Sequence, residues 1–305
     1  MIQTRTIALP HRIELNCRVS GEPGRPVLMF LHGFPEGAFV WDGLLEHFSQ
    51  PEHGGYRCIA PNLRGYGGSS APADTSAYRA KHLVEDLRAL IAIETQDAPH
   101  PGRLAGLVAH DWGGALAWNL AALHPDLMER LVIVNAPHPG TFWRDLQHSP
   151  AQQAASAYMN FLVRPDAAAL LAENDYRRLW SFFTTPGGSA APDWLTEDVR
   201  QRYREVWGRG LDGPLNYYRA SPLRPPGGSA THPVAELPRA LLDVRVPTLV
   251  LWGMDDPALL PGLLDGLNDY VADLRIEPLP GTSHWVLHEA PGAVRDRIAS
   301  YLSAV

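Results

Sequence analysis

Leu107-Val108-Ala109-His110-Asp111-Trp112-Gly113-Gly114 is the stretch that decides the fold. It opens as an apolar strand and runs without a linker into helical spacing over Gly113 to Leu123, closed by His124-Pro125. Small residues, Ala109 and Gly113, stand two before and two after Asp111. That pattern marks a sharp strand-to-helix turn: small neighbours let strand and helix approach while the central side chain is presented. The start of a helix also favours an anion. An aspartate there is equally a common N-cap, so the reading needs support from the rest of the chain.

Strands and helices alternate on either side of this turn. Residues 12–19 alternate apolar and polar, and Val27 to Leu31, Tyr56 to Ala60, Leu104 to Ala109 and Leu131 to Val134 read as short buried strands. Residues 39–48 have helical spacing. Residues 78–96 place Leu83, Leu87, Leu90 and Ile91 on one helical face. From Pro137 to about Arg245 the spacing is helical, with two punctuated stretches, Pro186 to Pro192 and Pro222 to Pro233, that read as long loops. Strand patterning returns at Pro247 to Trp252 and Leu274 to Leu279, and a helix over Pro291 to Leu302 follows. The pattern predicts an α/β fold: a mostly parallel twisted sheet flanked by helices. Its core comprises residues 1–136 and 246–305, interrupted by a helical lid over 137–245.

Composition narrows the chemistry. The 305 residues carry 26 basic and 33 acidic groups, net −7, which argues against nucleic acid or an anionic membrane as partner. Lys81 is the only lysine in the sequence, so Schiff-base chemistry is nearly excluded. Cys17 and Cys58 cannot build a disulfide framework or a cysteine zinc site. No apolar run reaches membrane-spanning length, and Met1 to Pro10 lacks a signal-peptide pattern, so a cytoplasmic protein is expected. Of the 27 aromatic residues, 13 lie between Pro137 and Arg245, which suggests a separate task for that region. No heptad or charge pattern decides between a monomer and a homodimer.

Three other segments support a reactive Asp111. Phe30-Leu31-His32-Gly33-Phe34-Pro35 follows a strand, and the backbone amides of Phe34 and Trp112 are placed to form an oxyanion hole. Leu251-Trp252-Gly253-Met254-Asp255-Asp256-Pro257 supplies an acid. Asp255 and Asp256 compete, and Pro257 favours Asp256 by pushing it into extended geometry. Pro280-Gly281-Thr282-Ser283-His284-Trp285 places a histidine in a turn after the last strand, where loops gather at the carboxyl edge of a parallel sheet.

With these segments in view, the chain resembles the α/β-hydrolase family along nearly its whole length, in the branch of epoxide hydrolases and haloalkane dehalogenases. The resemblance rests on His32-Gly33-Phe34-Pro35, Asn62-Leu63-Arg64-Gly65-Tyr66-Gly67-Gly68-Ser69, His110-Asp111-Trp112-Gly113, Trp252 to Asp256 and Gly281 to His284. It implies an aspartate nucleophile, Asp111, with Asp256 orienting His284 as general base. A carboxylate attacking saturated carbon leaves an ester that water can open, where a serine would leave a stable ether.

The leaving group separates the classes. An epoxide oxygen leaves as a basic alkoxide and benefits from phenolic donors. Tyr158 and Tyr218 lie in segments resembling those that hold the two cap tyrosines of epoxide hydrolases, with Tyr217 a rival more suited to packing. The resemblance therefore implies an epoxide hydrolase needing only an apolar epoxide and water, with no metal or organic cofactor. Phe142, Trp143, Phe161 and Trp180, with Phe182 and Phe183, are the expected pocket aromatics. A haloalkane dehalogenase is the first alternative, although Phe34 stands where many of those carry a halide-binding asparagine. A non-catalytic binding protein of this fold is the second. His32, His110 and Arg64 read as loop-shaping groups, His138 as a hinge or substrate contact, and His288 as a helix-start group.

Overall fold

The computed structural model describes residues 1–184, 191–227 and 237–303. Eight strands form one sheet: β1 (Gln3–Ala8), β2 (Glu14–Ser20), β3 (Val27–Leu31), β4 (Arg57–Pro61), β5 (Gly106–His110), β6 (Leu131–Val134), β7 (Thr248–Gly253) and β8 (Leu274–Leu279). Their order is β1-β2-β4-β3-β5-β6-β7-β8, with β1 and β2 antiparallel and the rest parallel. Every residue of β3, β4, β5, β6 and β7 is buried, which requires cover on both faces.

The alternation of side chains along β3 divides that cover. Leu28 and Phe30 face one layer, where Leu45 and Phe48 of α1 (Asp42–Phe48) join Val294 and Ile298 of the final helix, Pro291–Ser303. Val27, Met29 and Leu31 face the other, against Leu83, Leu87 and Leu90 of α2 (Ala80–Glu94) and Leu116 and Leu120 of α3 (Asp111–Leu123). Most observed ends of the expected elements differ from the sequence reading by one or two residues, the ordinary fraying of termini, while the helical stretch expected over 39–48 is a 3-10 turn, Ala38–Trp41, followed by α1. Strand β1 was not expected. Gln3-Thr4-Arg5-Thr6 is exposed and carries no apolar alternation, and the strand exists through its pairing with β2.

Between β6 and β7 the described chain carries only helices: α4 (Pro139–His148), α5 (Pro150–Ala155), α6 (Tyr158–Leu162), α7 (Ala167–Trp180), α8 (Glu197–Trp207) and α9 (Asp212–Ala220), with short 3-10 turns. The expected loops at Pro186 to Pro192 and Pro222 to Pro233 lie partly outside the described residues. Helix α7 is interrupted where Asn174, Asp175 and Tyr176 take left-handed backbone, at a cost of about 1–2 kcal/mol each. The Trp180 indole N–H bonding Asp175 O at 2.6 Å and the Arg204 guanidinium on the Asp175 carboxylate hold that turn. The insert has its own core of Leu162, Leu171, Leu179, Tyr203, Trp207 and Leu215, into which Phe34 and Trp285 of the sheet domain project.

Polar contacts fasten insert to sheet domain. The Trp207 indole donates to Pro35 O at 2.6 Å, and Tyr217 O–H to Arg64 O at 2.9 Å. Arg18 and Arg202 both pair with Asp42. Among the described residues no helix is long and apolar enough to cross a membrane.

The approach of α3 to the sheet admits no side chain at Gly113, where a Cβ would stand 2.5 Å from Leu31 O. Alanine within a helix ordinarily stabilises by about 1 kcal/mol over glycine. Here the sign reverses: Gly113→Ala is expected to cost about 1–3 kcal/mol in urea unfolding through overpacking. An unchanged or raised unfolding midpoint would contradict the close approach.

Candidate active site

Asp111 stands at the junction of β5 and α3 with φ 49°, in the left-handed region that a side chain seldom adopts. Its carboxylate does not cap its own helix. Instead the Phe34 backbone N–H, from the loop after β3, donates to Asp111 Oδ1 at 2.7 Å. The two loops touch closely enough that a Cβ on Gly33 would meet the Asp111 carboxylate at 2.3 Å. The Trp112 amide lies in the first turn of α3, where backbone N–H groups have no partner within the helix.

The loop after β7 brings Asp256, and the loop after β8 brings His284. His284 Nδ1 donates to Asp256 Oδ2 at 2.7 Å, and His284 Nε2 lies 3.9 Å from Asp111 Oδ2. Asp255 is exposed, whereas Asp256 is buried. Asp256 Oδ1 accepts from the amides of Ala258 and Leu259 at 2.8 and 2.9 Å, and Oδ2 also accepts from Asn135 Nδ2 at 2.8 Å. Burial opposes the Asp256 charge, but the His284 ring and these donors hold its pKa below the ordinary value. Burial likewise opposes a charged His284. The Asp256 carboxylate, and behind it that of Asp111, overcomes this and pushes the ring up to about 9.

A cavity encloses Asp111 on the side facing the insert. Trp112, Ala115 and Asn119 of α3 line one wall, and Phe142, Tyr158 and Tyr218 of the insert line the other. Tyr158 starts α6 and Tyr218 lies in α9, their rings 6.3 Å apart edge to face. Burial, with the negative charge of Asp111 adding to it, raises the pKa of both phenols, so both keep the O–H they can donate. Tyr217 also borders the cavity, but its hydroxyl is bonded to Arg64 O.

Of the six expected pocket aromatics, Phe142 alone lines this cavity, and Phe182 and Phe183 pack against or within the insert's cluster. Trp143 faces a second cavity, with Gly140, Pro238 and Tyr270. Phe161 packs against the insert's own cluster, and Trp180 lies 4.4 Å from the Trp207 ring. Both belong to the interior that the helical insert needs for its own stability.

The remaining polar groups have structural partners. His32 accepts from Leu63 N at 3.1 Å and faces Gly33 O at 2.9 Å, and burial lowers its pKa to about 4. Arg64 clasps Asp86 with two N–H groups and Ala77 O with a third. His138, also lowered to about 4 by burial, joins Gly140 N at the start of the insert to Leu242 O near its end.

Two residues beside the site escaped the sequence reading. Asn135 follows β6 with φ 40°; its side chain accepts from Gly253 N at 2.8 Å as well as donating to Asp256. Glu36 follows Pro35 and is fully buried. It accepts from His110 Nδ1 at 3.0 Å and Tyr203 O–H at 3.0 Å, and lies 3.1 Å from His288 Nε2. Burial works against its charge, yet the hydrogen bonds from His110 and His288 keep its pKa well below the carboxylate range. His110 Nε2 in turn reaches His284 O at 3.0 Å. Both His110 nitrogens therefore face acceptors.

A family profile described as the alpha/beta hydrolase fold matches residues 26–291, and the chain belongs to that family. AB hydrolase superfamily protein YfhM of Bacillus subtilis is 34% identical over 293 residues, 95% of this chain and 94% of that protein. Epoxide hydrolase 3 of Xenopus tropicalis is 33% identical over 294 residues, covering 93% and 73% respectively. A solved structure from metagenomes of hot environments, described as a novel epoxide hydrolase of the α/β-hydrolase superfamily, is 36% identical. It covers 100% of both chains with a TM-score of 0.85.

The electrostatic balance at His284 is testable. Asp256→Asn removes the carboxylate that raises the ring, so the His284 titration followed by NMR should move down from about 9 towards the ordinary histidine value. A titration left near its original position would show that Asp256 does not set the charge of the ring.

Proposed function

We propose that this protein is an epoxide hydrolase working through a covalent Asp111 ester. The observation that carries this reading is the convergence on one cavity of a carboxylate and two phenols from opposite walls, with an imidazole 3.9 Å from the carboxylate. The relatives named as epoxide hydrolases support the same substrate class. In this reading residues 137–245 are the cap that supplies Tyr158 and Tyr218.

The two oxygens of Asp111 divide the work. Oδ1 is tied to the Phe34 amide, and Oδ2 is the atom left to attack a ring carbon. As the carbon–oxygen bond of the epoxide breaks, Tyr158 and Tyr218 donate hydrogen bonds to the departing oxygen and one phenol passes it a proton, giving a hydroxyl and a phenolate that is reprotonated at the end of the cycle by the proton His284 takes from water. The ester oxygen at Oδ1 then sits where the Phe34 amide, with that of Trp112, stabilises the charge that develops when water adds.

Ester formation also prepares the base. Part of the upward push on His284 comes from the Asp111 charge. Once that carboxylate is esterified the charge is gone, and the ring becomes easier to deprotonate. Neutral His284 Nε2 takes a proton from water, Asp256 stabilises the imidazolium, and hydroxide adds to the ester carbonyl. Collapse releases a vicinal diol and restores Asp111. A 3.9 Å gap between Nε2 and Oδ2 accommodates a water hydrogen-bonded to the ring and adjacent to the carboxyl group.

A single turnover in oxygen-18 water with excess enzyme is the direct test. Label is expected in Asp111 and not in the first diol released. Label entering that diol directly would sink the ester route, and halide release from alkyl halides without diol formation would favour a dehalogenase. The phenols are tested separately. Tyr158→Phe and Tyr218→Phe should each slow alkylation, and the double substitution should remove a contribution of about 10²–10⁴-fold. Unchanged epoxide turnover in the double variant would point to another proton donor.

A further inference from the structure

The cavity at Asp111 is one-sided. Its long wall follows Trp112, Ala115, Leu116 and Asn119, a single stripe of α3. From Asp111 to Asn119 that stripe advances about 12 Å at the rise of an α-helix. Leu223 and Leu237 also line the cavity, and Asp111 is the one charged group on the wall among the described residues. A neutral, apolar substituent suits this arm.

The two tyrosines that line the cavity belong to a closed cycle of four rings. Tyr158 meets Phe182 at 5.9 Å, Phe182 meets Phe34 at 6.0 Å, Phe34 meets Tyr218 at 5.2 Å, and Tyr218 returns to Tyr158 at 6.3 Å. All four contacts are edge to face, with interplanar angles of 79°, 86°, 85° and 78°. The two tyrosines line the cavity; Phe34 and Phe182 stand behind them. The Trp285 indole donates to Phe182 O at 3.0 Å and fixes the backbone of that residue. An epoxide whose oxygen lies at the phenols thus has space for a substituent along α3 and faces aromatic rings on its other side.

We infer that the enzyme selects terminal epoxides bearing one neutral apolar substituent, and that Phe182 is the specificity-determining residue that excludes a second. This rests on the epoxide hydrolase reading above. Phe182 suits the role because it is half-buried and packs directly on Tyr158 and Phe34, so truncation makes room behind the tyrosines without removing a donor or acceptor. Phe34, by contrast, belongs to the loop whose amide holds Asp111.

The experiment compares two isomers of equal size, 1,2-epoxyoctane and trans-4,5-epoxyoctane. The unaltered enzyme should favour the terminal isomer by about 100-fold or more in kcat/KM, as expected where a second arm meets packed side chains. Phe182→Ala should narrow that ratio by raising turnover of the internal isomer. Phe182→Leu, which keeps apolar bulk at the position, should retain most of the preference. Comparable kcat/KM for both isomers in the unaltered enzyme, or a ratio unmoved by Phe182→Ala, would overturn the inference. Binding to an Asp111→Asn variant, followed by tryptophan quenching, reads the same preference without turnover. Diol from neither isomer would count against the epoxide hydrolase reading, while equal affinities for the two would overturn the one-armed pocket even then.

Discussion

The hydrogen bond from the Phe34 amide to Asp111 Oδ1 is the contact around which the site is built. It joins the loops after β3 and β5, two strands that lie side by side in the sheet. The contact requires three close approaches: Gly33 against Asp111, Gly113 against Leu31, and Gly114 against Ala136. A Cβ at any of these would displace α3 or the loop after β3. The left-handed backbone at Asp111 is the local cost of aiming a carboxylate out of this crowded corner. Since β6, β7 and β8 continue the same parallel sheet, their following loops emerge at the same edge, and Asn135, Asp256 and His284 arrive there without further design.

Charge at the site is arranged with carboxylates and imidazoles alone. Asp256, Asp111 and Glu36 are each within hydrogen-bonding or ion-pair reach of a histidine. His110 couples the outer pair to the inner one, since it bonds Glu36 through one nitrogen and the backbone oxygen of His284 through the other. That second bond fixes the chain at the residue whose ring lies 3.9 Å from the Asp111 carboxylate. Tyr203, reaching Glu36 from α8, extends the network into the insert. Buried Asp256 and Glu36 are tolerable on these terms because each is satisfied by several partners.

Much of this was legible in the sequence where local sterics leave few options. The strand-to-helix turn at Asp111 could be read because small residues at fixed offsets have one physical purpose. Asp256 could be separated from Asp255 because Pro257 restricts the residue before it. The separation of Tyr218 from Tyr217 relied on resemblance; in the structure both border the cavity, and the Tyr217 hydroxyl is engaged by Arg64 O. What could not be read depended on partners distant in the chain. Glu36 looks like an ordinary loop acid until residues 74, 167 and 252 positions away close around it. The aromatic excess of the insert was assigned to the pocket, yet Trp180, Phe183, Tyr203 and Trp207 mainly pack on one another. Short helices on a small layer need large side chains to bury enough surface, whatever lies beneath them.

His138 has a consequence for how such a chain could diversify. By linking Gly140 to Leu242, it brings the first and last turns of the insert together at one point beside β6 and β7. A segment whose ends already meet can lengthen, shorten or be replaced with little change in the entropy of closing it. The sheet domain would register the exchange where insert side chains reach down to it, among them Pro35, Glu36, Asp42, Arg64, Ala258 and Gly262. The architecture thus behaves as a socket with a removable fitting. The sheet retains the groups aligned with Asp111, and the fitting is free to vary the space above it.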